Sequence, residues 1–294
     1  MIVTLKNHTM TARIDSIGAQ LISLKSKSGT EYIWQRDPAH WKSSSPLLFP
    51  TVGNCRDGKY TLNGQIYSIP KHGFCRNADF AVSVLSEQEA SFILTDSPET
   101  RAHYPFAFHL KLTYALTEDG IRIHYTVTNP GTRPMYYQLG AHPGFNCPLH
   151  SGERFEDYVL EFEQEGTAGY HSYDLNRMEF NMNSYTPILD HAAVIPLTHE
   201  LFANDAIFFT DLRSKKVALK NQATGYGVEV SYPDFATVAF WTAAATKAPF
   251  LCVEPWNGSA IRSDEDDNFL NRHFLQKVES GESKEYQIWI KKIS

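Results

Sequence analysis

Phe106-Ala107-Phe108-His109-Leu110-Lys111-Leu112-Thr113-Tyr114-Ala115-Leu116, then Thr117-Glu118-Asp119-Gly120, then Ile121-Arg122-Ile123-His124-Tyr125-Thr126-Val127-Thr128, reads as two strands joined by a turn. Successive side chains of an extended chain point to opposite faces. Phe106, Phe108, Leu110 and Leu112 therefore share one face, and His109, Lys111 and Thr113 the other. A sheet with one apolar and one wetter side is the mark of an antiparallel arrangement. The same period of two recurs over Met10 to Ile14 and over residues 60–69. In the latter, Asn63-Gly64 stands between two alternating runs, the strongest short-range hairpin signal. Asp119-Gly120 is expected to join its two strands in the same way.

Helical signals are sparse. Ser97-Pro98-Glu99-Thr100-Arg101 predicts one turn, with serine as cap and proline at the first position. Thr198 to Asn204 predicts another. Ser263-Asp264-Glu265-Asp266-Asp267 either starts a short helix or forms a solvated acidic loop. Many short strands, tight turns and 15 prolines predict an all-β fold, a large antiparallel sandwich with a few short helices. No linker, repeat or low-complexity segment interrupts it, so residues 1–294 are expected to form a single domain.

A chain of 294 residues buries roughly three quarters of its unfolded surface and needs no covalent staples. Its formal net charge is -6 and it has no run of Lys and Arg, which argues against nucleic acid or an anionic membrane as partner. Neither an apolar leader nor a stretch of ~18 apolar residues is visible, so a cytoplasmic location is expected. Cys55, Cys75, Cys147 and Cys252 form no C-x-x-C pair. They are expected to be small buried hydrophobes, with a redox or metal role as the alternative.

Three blocks place a titratable group among glycine, proline and aromatic residues: Lys71-His72-Gly73-Phe74-Cys75-Arg76, Gly140-Ala141-His142-Pro143-Gly144-Phe145-Asn146, and Cys252-Val253-Glu254-Pro255-Trp256-Asn257. Glu254 closes an apolar strand that Pro255 is expected to end. A carboxylate there is costly unless paired or used, so it is either structural or catalytic. His72 and His142 sit in constrained loops; a satisfied core histidine is the more common fate of such a residue, and a proton carrier the alternative. Arg56 and Arg76 could fork onto sugar hydroxyls or a phosphate, or form surface ion pairs. Asp205 could accept hydroxyl hydrogen bonds or cap a turn. Trp34, Trp41, Trp241 and Trp256 could stack on a sugar ring, and Trp256, two residues after Glu254, is the first choice.

Together with Phe49-Pro50-x-Val52-Gly53, Asp57-Gly58-Lys59-Tyr60, Tyr104-Pro105-Phe106, Phe155-Glu156-Asp157-Tyr158 and Leu201-Phe202-x-Asn204-Asp205-Ala206, these blocks resemble the aldose 1-epimerase (galactose mutarotase-like) family, in its LacX-type branch, over nearly the whole chain. The resemblance implies a single-domain β-supersandwich with a sugar cleft. It implies Glu254 as general base, His142 as general acid and His72 as a second histidine that holds the sugar. Asp205 would grip hydroxyls, Arg56, Arg76 and Trp256 would bind substrate, and no cofactor or metal is called for. The expected partner is a small-molecule sugar, an aldohexose or its phosphate, and the chain a monomer or homodimer. The acid and base are expected on opposite sides of a bound ring. Alternatives are a hexose-6-phosphate 1-epimerase, a non-catalytic carbohydrate binder or sensor, and a metal site built from His72, His142 and Glu254.

Overall fold

Asn63 and Gly64 both adopt positive φ, 52° and 80°, and close a two-residue turn in which Leu62 pairs with Gln65. That is the handedness a tight hairpin requires. The long hairpin is built differently. His109–Leu116 pairs with Gly120–Thr128 so that Leu116 faces Ile121, leaving four residues in the connection. Gly120 is needed there for room rather than for a two-residue turn: a Cβ on it would lie 1.9 Å from the Ile290 carbonyl oxygen of the next strand. Leu110, Leu112, Tyr114 and Leu116 are buried while His109, Lys111, Thr113 and Ala115 are half-exposed, the alternation read from the sequence.

A computed structural model describes residues 1–294. The long hairpin lies inside a nine-stranded antiparallel sheet. Its order is Thr186–Pro196, Tyr158–Tyr170, Lys216–Asn221, Gly227–Ser231, Ser283–Ile293, Gly120–Thr128, His109–Leu116, Glu89–Thr95, Ala81–Val84. A six-stranded sheet runs Ile207–Phe209, Thr237–Trp241, Phe250–Asn257, Leu139–Ala141, Leu47–Leu48, with Gly144–Asn146 also pairing onto Phe250–Asn257. Both sheets feed one core cluster of 63 buried residues, Leu110, Val127 and Ile288 from the first and Val238, Phe240, Leu251 and Val253 from the second. The architecture is an all-β, antiparallel supersandwich.

The α-helical content is one turn and a half, Pro98–His103, capped reciprocally by Ser97 and Thr100. His199–Phe202 is a 3-10 turn with the Thr198 hydroxyl accepting from the Leu201 amide. Ser263–Asp267 is not helical. Its acids are drawn off by arginines, Asp264 by Arg262 at 2.7 Å and Glu265 by the buried Arg272 at 3.5 Å. Pro255 does not end its strand, which continues to Asn257 with Pro255 opposite Val238. Proline's fixed φ suits an extended chain, and only its missing donor is lost to the ladder. All four cysteines are free and buried. No helix is long and apolar enough to cross a membrane.

Candidate active site

The strand Phe250–Asn257 divides its side chains between core and cleft. Leu251 and Val253 enter the main core. Glu254 and Trp256, at the alternate positions, line a cleft of about 280 Å³ on the other face, with Cys252 beneath them on the same face. The neighbouring strand Thr237–Trp241 repeats the division: Val238 and Phe240 are core, while Trp241 lines the cleft. Glu254 is only 2% exposed, so its carboxyl sees the cleft and little else.

His142 is delivered by the tight link between Leu139–Ala141 and Gly144–Asn146. A Cβ at Gly140 would lie 2.6 Å from Trp256, and one at Gly144 2.9 Å from Trp41, so glycine lets this link press against both indoles. The Val253 amide donates to the Pro143 carbonyl at 3.1 Å and pins the link to the strand. The imidazole stacks on Trp41 (centroids 4.9 Å, 25°), and Trp41 is held in turn by the Trp34 indole N–H on its carbonyl at 2.8 Å. His142 Nε2 comes to rest 3.2 Å from Glu254 Oε2. The two groups are thus brought together, but in direct contact rather than on opposite sides of a gap the width of a sugar.

His72 is fixed by its backbone. Its φ is +68°, and Gly73 follows at +72° with a hypothetical Cβ 2.0 Å from the Phe49 carbonyl oxygen, a place only glycine fits. His72 N–H donates to Gly53 O at 2.6 Å, and Gly53 N–H donates back to His72 Nδ1 at 3.0 Å. Because Nδ1 accepts, the neutral ring carries its proton on Nε2. Burial, then His142, Lys71 and Arg76, hold His72 well below the usual imidazole range, consistent with that neutral state.

Electrostatically the contact pair is a dry one between two cations and a carboxylate. Burial first, then Asp205, push the Glu254 carboxyl well above the usual range, with Lys71 and Arg76 opposing. Burial first, then Arg76 and Lys71, push His142 well below it. Both shifts disfavour the separated charges of an imidazolium beside a carboxylate. Asp205, in a left-handed conformation at φ 74°, is raised by burial, while Lys71, the Ala206 amide and the Trp241 indole pull it down.

Of the side chains nominated from the sequence, Glu254, His142, His72, Asp205, Arg76 and Trp256 line the cleft. Arg56 does not. Its guanidinium is consumed by Glu179 Oε2 at 3.1 Å, Asp267 Oδ1 at 3.1 Å and the carbonyls of Glu265 and Arg262 at 2.9 and 3.0 Å. Trp34 also stays behind the wall, supporting Trp41. Trp41 and Trp241, also nominated, line the cleft too, whereas Asn54, Tyr173 and Phe180 line it without having been singled out as candidates. Tyr173 and Phe180 come from a short hairpin, Tyr173–Asp174 with Glu179–Phe180, whose composition carries no chemical signature. Its tether could have been sought in Asn54, which donates to Met178 O at 2.6 Å and accepts from the Tyr173 hydroxyl at 2.9 Å. As to metals, the ligand atoms that cluster within 4.8 Å of one another are those of His142, Cys252 and Glu254, and His72 is outside the group.

A family model described as Aldose 1-epimerase matches residues 1–266. The chain is 33% identical over 284 residues to the chromosomal protein LacX of Lactococcus lactis subsp. lactis, covering 95% of each. Its fold superposes on a galactose mutarotase related enzyme from Lactobacillus acidophilus with a TM-score of 0.94 at 30% identity, over 100% of this chain and 98% of that one. A galactose mutarotase-like protein from Lactobacillus casei gives a TM-score of 0.91 at 28% identity, with 100% of both chains covered.

Proposed function

We propose that this chain, which belongs to the aldose 1-epimerase family, interconverts the α and β anomers of an aldohexose by acid/base ring opening. The observation that carries the reading is the 3.2 Å contact between His142 Nε2 and Glu254 Oε2 at the cleft surface. Ring opening takes a proton from the anomeric O1 hydroxyl and delivers one to the ring oxygen O5. Both oxygens are bonded to C1, so an acid and a base that touch each other suit them better than two groups far apart. With one proton between them, the pair has one proton to give and one lone pair to accept.

The shared proton first passes to His142; Glu254 as carboxylate then removes the O1 proton while protonated His142 supplies O5, and the C1–O5 bond breaks to leave an aldehyde at C1. Rotation about C1–C2 presents the other carbonyl face. Attack by the O5 hydroxyl then returns its proton to His142, and O1 recovers a proton from Glu254. His72, with Nε2–H toward the cleft, donates to a substrate oxygen. Asp205 accepts from hydroxyls, and the indoles of Trp41, Trp241 and Trp256 offer apolar surface to C–H faces. Polarimetry of freshly dissolved α-glucose and α-galactose tests this: an anomer exchange no faster than buffer, with saturable sugar binding, replaces the epimerase by a binder or sensor.

A phosphorylated substrate is a second reading with its own observation. Lys71 and Arg76 both line the cleft, no carboxylate pairs with either, and the Arg76 guanidinium is satisfied only by Ser43 Oγ at 3.2 Å. Comparing kcat/KM for glucose and glucose 6-phosphate separates the two.

A further inference from the structure

We propose that His142, Glu254 and Cys252 form a binding site for a thiophilic divalent cation such as Zn2+, and that filling it stops the proton exchange of the first two. The inference concerns metal binding and goes beyond the epimerase reading. Cys252 and Glu254 are two apart on one strand and so point to the same face. Gly144 pairs with Cys252, which places the link carrying His142 directly beside the thiol. One donor atom from each of the three lies within 4.8 Å of the other two. A tetrahedral zinc ion with bonds of about 2.0–2.3 Å holds its ligand atoms roughly 3.3–3.8 Å apart, which the His142–Glu254 contact at 3.2 Å already approaches and the thiol reaches by a shift on the order of 1 Å from that limit.

A second observation points the same way. His142 is 8% exposed, yet its Nδ1 is buried with no hydrogen-bond partner, and the ring is fixed by stacking on Trp41 and by the Nε2 contact with Glu254, itself a proposed ligand. The route in is open: Glu254 and His142 line the cleft, and Cys252 lies behind them with no exposure of its own. A fourth coordination position would face the cleft, as in zinc sites that keep an open place for water or a hydroxyl.

Charge balance favours a doubly charged ion. Binding releases the thiol proton of Cys252 and the proton shared by Glu254 and His142. The remaining thiolate and carboxylate carry two negative charges and the cation two positive ones, so the filled site is neutral, with neither oxidation nor reduction. A neutral assembly avoids the burial cost of an uncompensated ion. The thiolate selects against Mg2+ and Ca2+, which take oxygen ligands. With its lone pairs and its proton both gone, the pair can no longer serve O1 and O5.

The test uses the full chain and Co2+ as a spectroscopic probe. We expect one equivalent to bind with a thiolate-to-cobalt charge-transfer band, about two protons to be released per ion, and Zn2+ to displace the cobalt and bleach the band. The band should survive in a variant lacking Cys55, Cys75 and Cys147 and vanish in Cys252→Ser. Apparent affinity in that variant should fall at least about tenfold, as ligand-shell losses do. Zn2+ should suppress anomer exchange, and Mg2+ at the same concentration should not. A cobalt spectrum without the thiolate band, or a band unchanged by Cys252→Ser, overturns the proposal. If Cys252→Ser does not fold, loss of the band in the variant lacking the other three cysteines overturns it equally. The spectrum is read without sugar, so the site stands or falls independently of the epimerase activity.

Discussion

Replacing Glu254 by glutamine separates chemistry from structure at the centre of the site. Glutamine has nearly the volume of glutamate, so at a position only 2% exposed the surrounding packing is preserved. Its amide can still donate to His142 Nε2 across the existing 3.2 Å contact. What disappears is a group able to take and return a proton. General acid–base help of this type contributes about 10²–10⁴-fold, equivalent to about 2.7–5.4 kcal/mol of transition-state stabilisation. We expect Glu254→Gln to lower kcat by that factor with KM little changed, measured by polarimetry on α-glucose. Stability should move the other way. Burial and Asp205 raise the carboxyl in the folded chain. The folded state therefore holds this proton at pH values where the unfolded chain, at about 4.3, has lost it. Stability contributed by the group is complete below the unfolded value and declines as pH rises toward the folded one. Glutamine has no such decline, so Tm of the variant should match wild type in acid and exceed it increasingly as pH rises. Unchanged turnover, or a Tm that falls relative to wild type with rising pH, refutes the assignment of Glu254 as the base.

The pH profile of kcat/KM should be a bell, because the contact pair works only while it holds one proton. With His142 lowered and Glu254 raised by burial, the two limbs belong to the pair rather than to the free value of either residue; a profile flat between pH 4 and 10 contradicts this. Arg56→Ala should destabilise the chain by about 1–3 kcal/mol in urea unfolding and raise KM more than it lowers kcat, because Glu179 anchors the hairpin bearing Tyr173 and Phe180. An effect on kcat alone would instead place Arg56 at the reacting atoms. Gly73→Ala adds a Cβ 2.0 Å from the Phe49 carbonyl oxygen at a φ of +72°. It should lower Tm by several degrees, at roughly 2–4 °C per kcal/mol for a long chain, and an unchanged melting curve would show that the backbone there yields freely.

The fold was legible because its signal is local. The apolar alternation of residues 106–128 and the Asn63-Gly64 turn each state their own structure. Glu254 and His142 were legible for a related reason: glycine and proline mark where backbone must pass close to something, and here they do so beside Trp41 and Trp256. Arg56 misled because a guanidinium next to a turn looks the same whether it faces a ligand or the acids Glu179 and Asp267, which lie 123 and 211 residues away. Tyr173 and Phe180 were invisible since aromatic residues in a hairpin read as core. The side-by-side arrangement of acid and base was beyond the sequence as well. It depends on how far the Ala141–Gly144 link sinks toward the strand, which is set by the indoles beneath it.

The division of labour along Phe250–Asn257 bears on how such a protein can change. Cleft-lining and core residues alternate there, so an insertion or deletion of one residue would swap them and destroy interior and cleft together. The positions of Glu254 and Trp256 in the cleft are therefore frozen by the folding requirement itself. The rim is tied less tightly: Tyr173 and Phe180 are buried, Phe180 stacked on Phe208, but the turn between them, Leu175 to Met178, is exposed and can be lengthened or recoloured without disturbing a sheet. Under the proposed epimerase function, that turn is where sugar preference can change while the reaction stays the same.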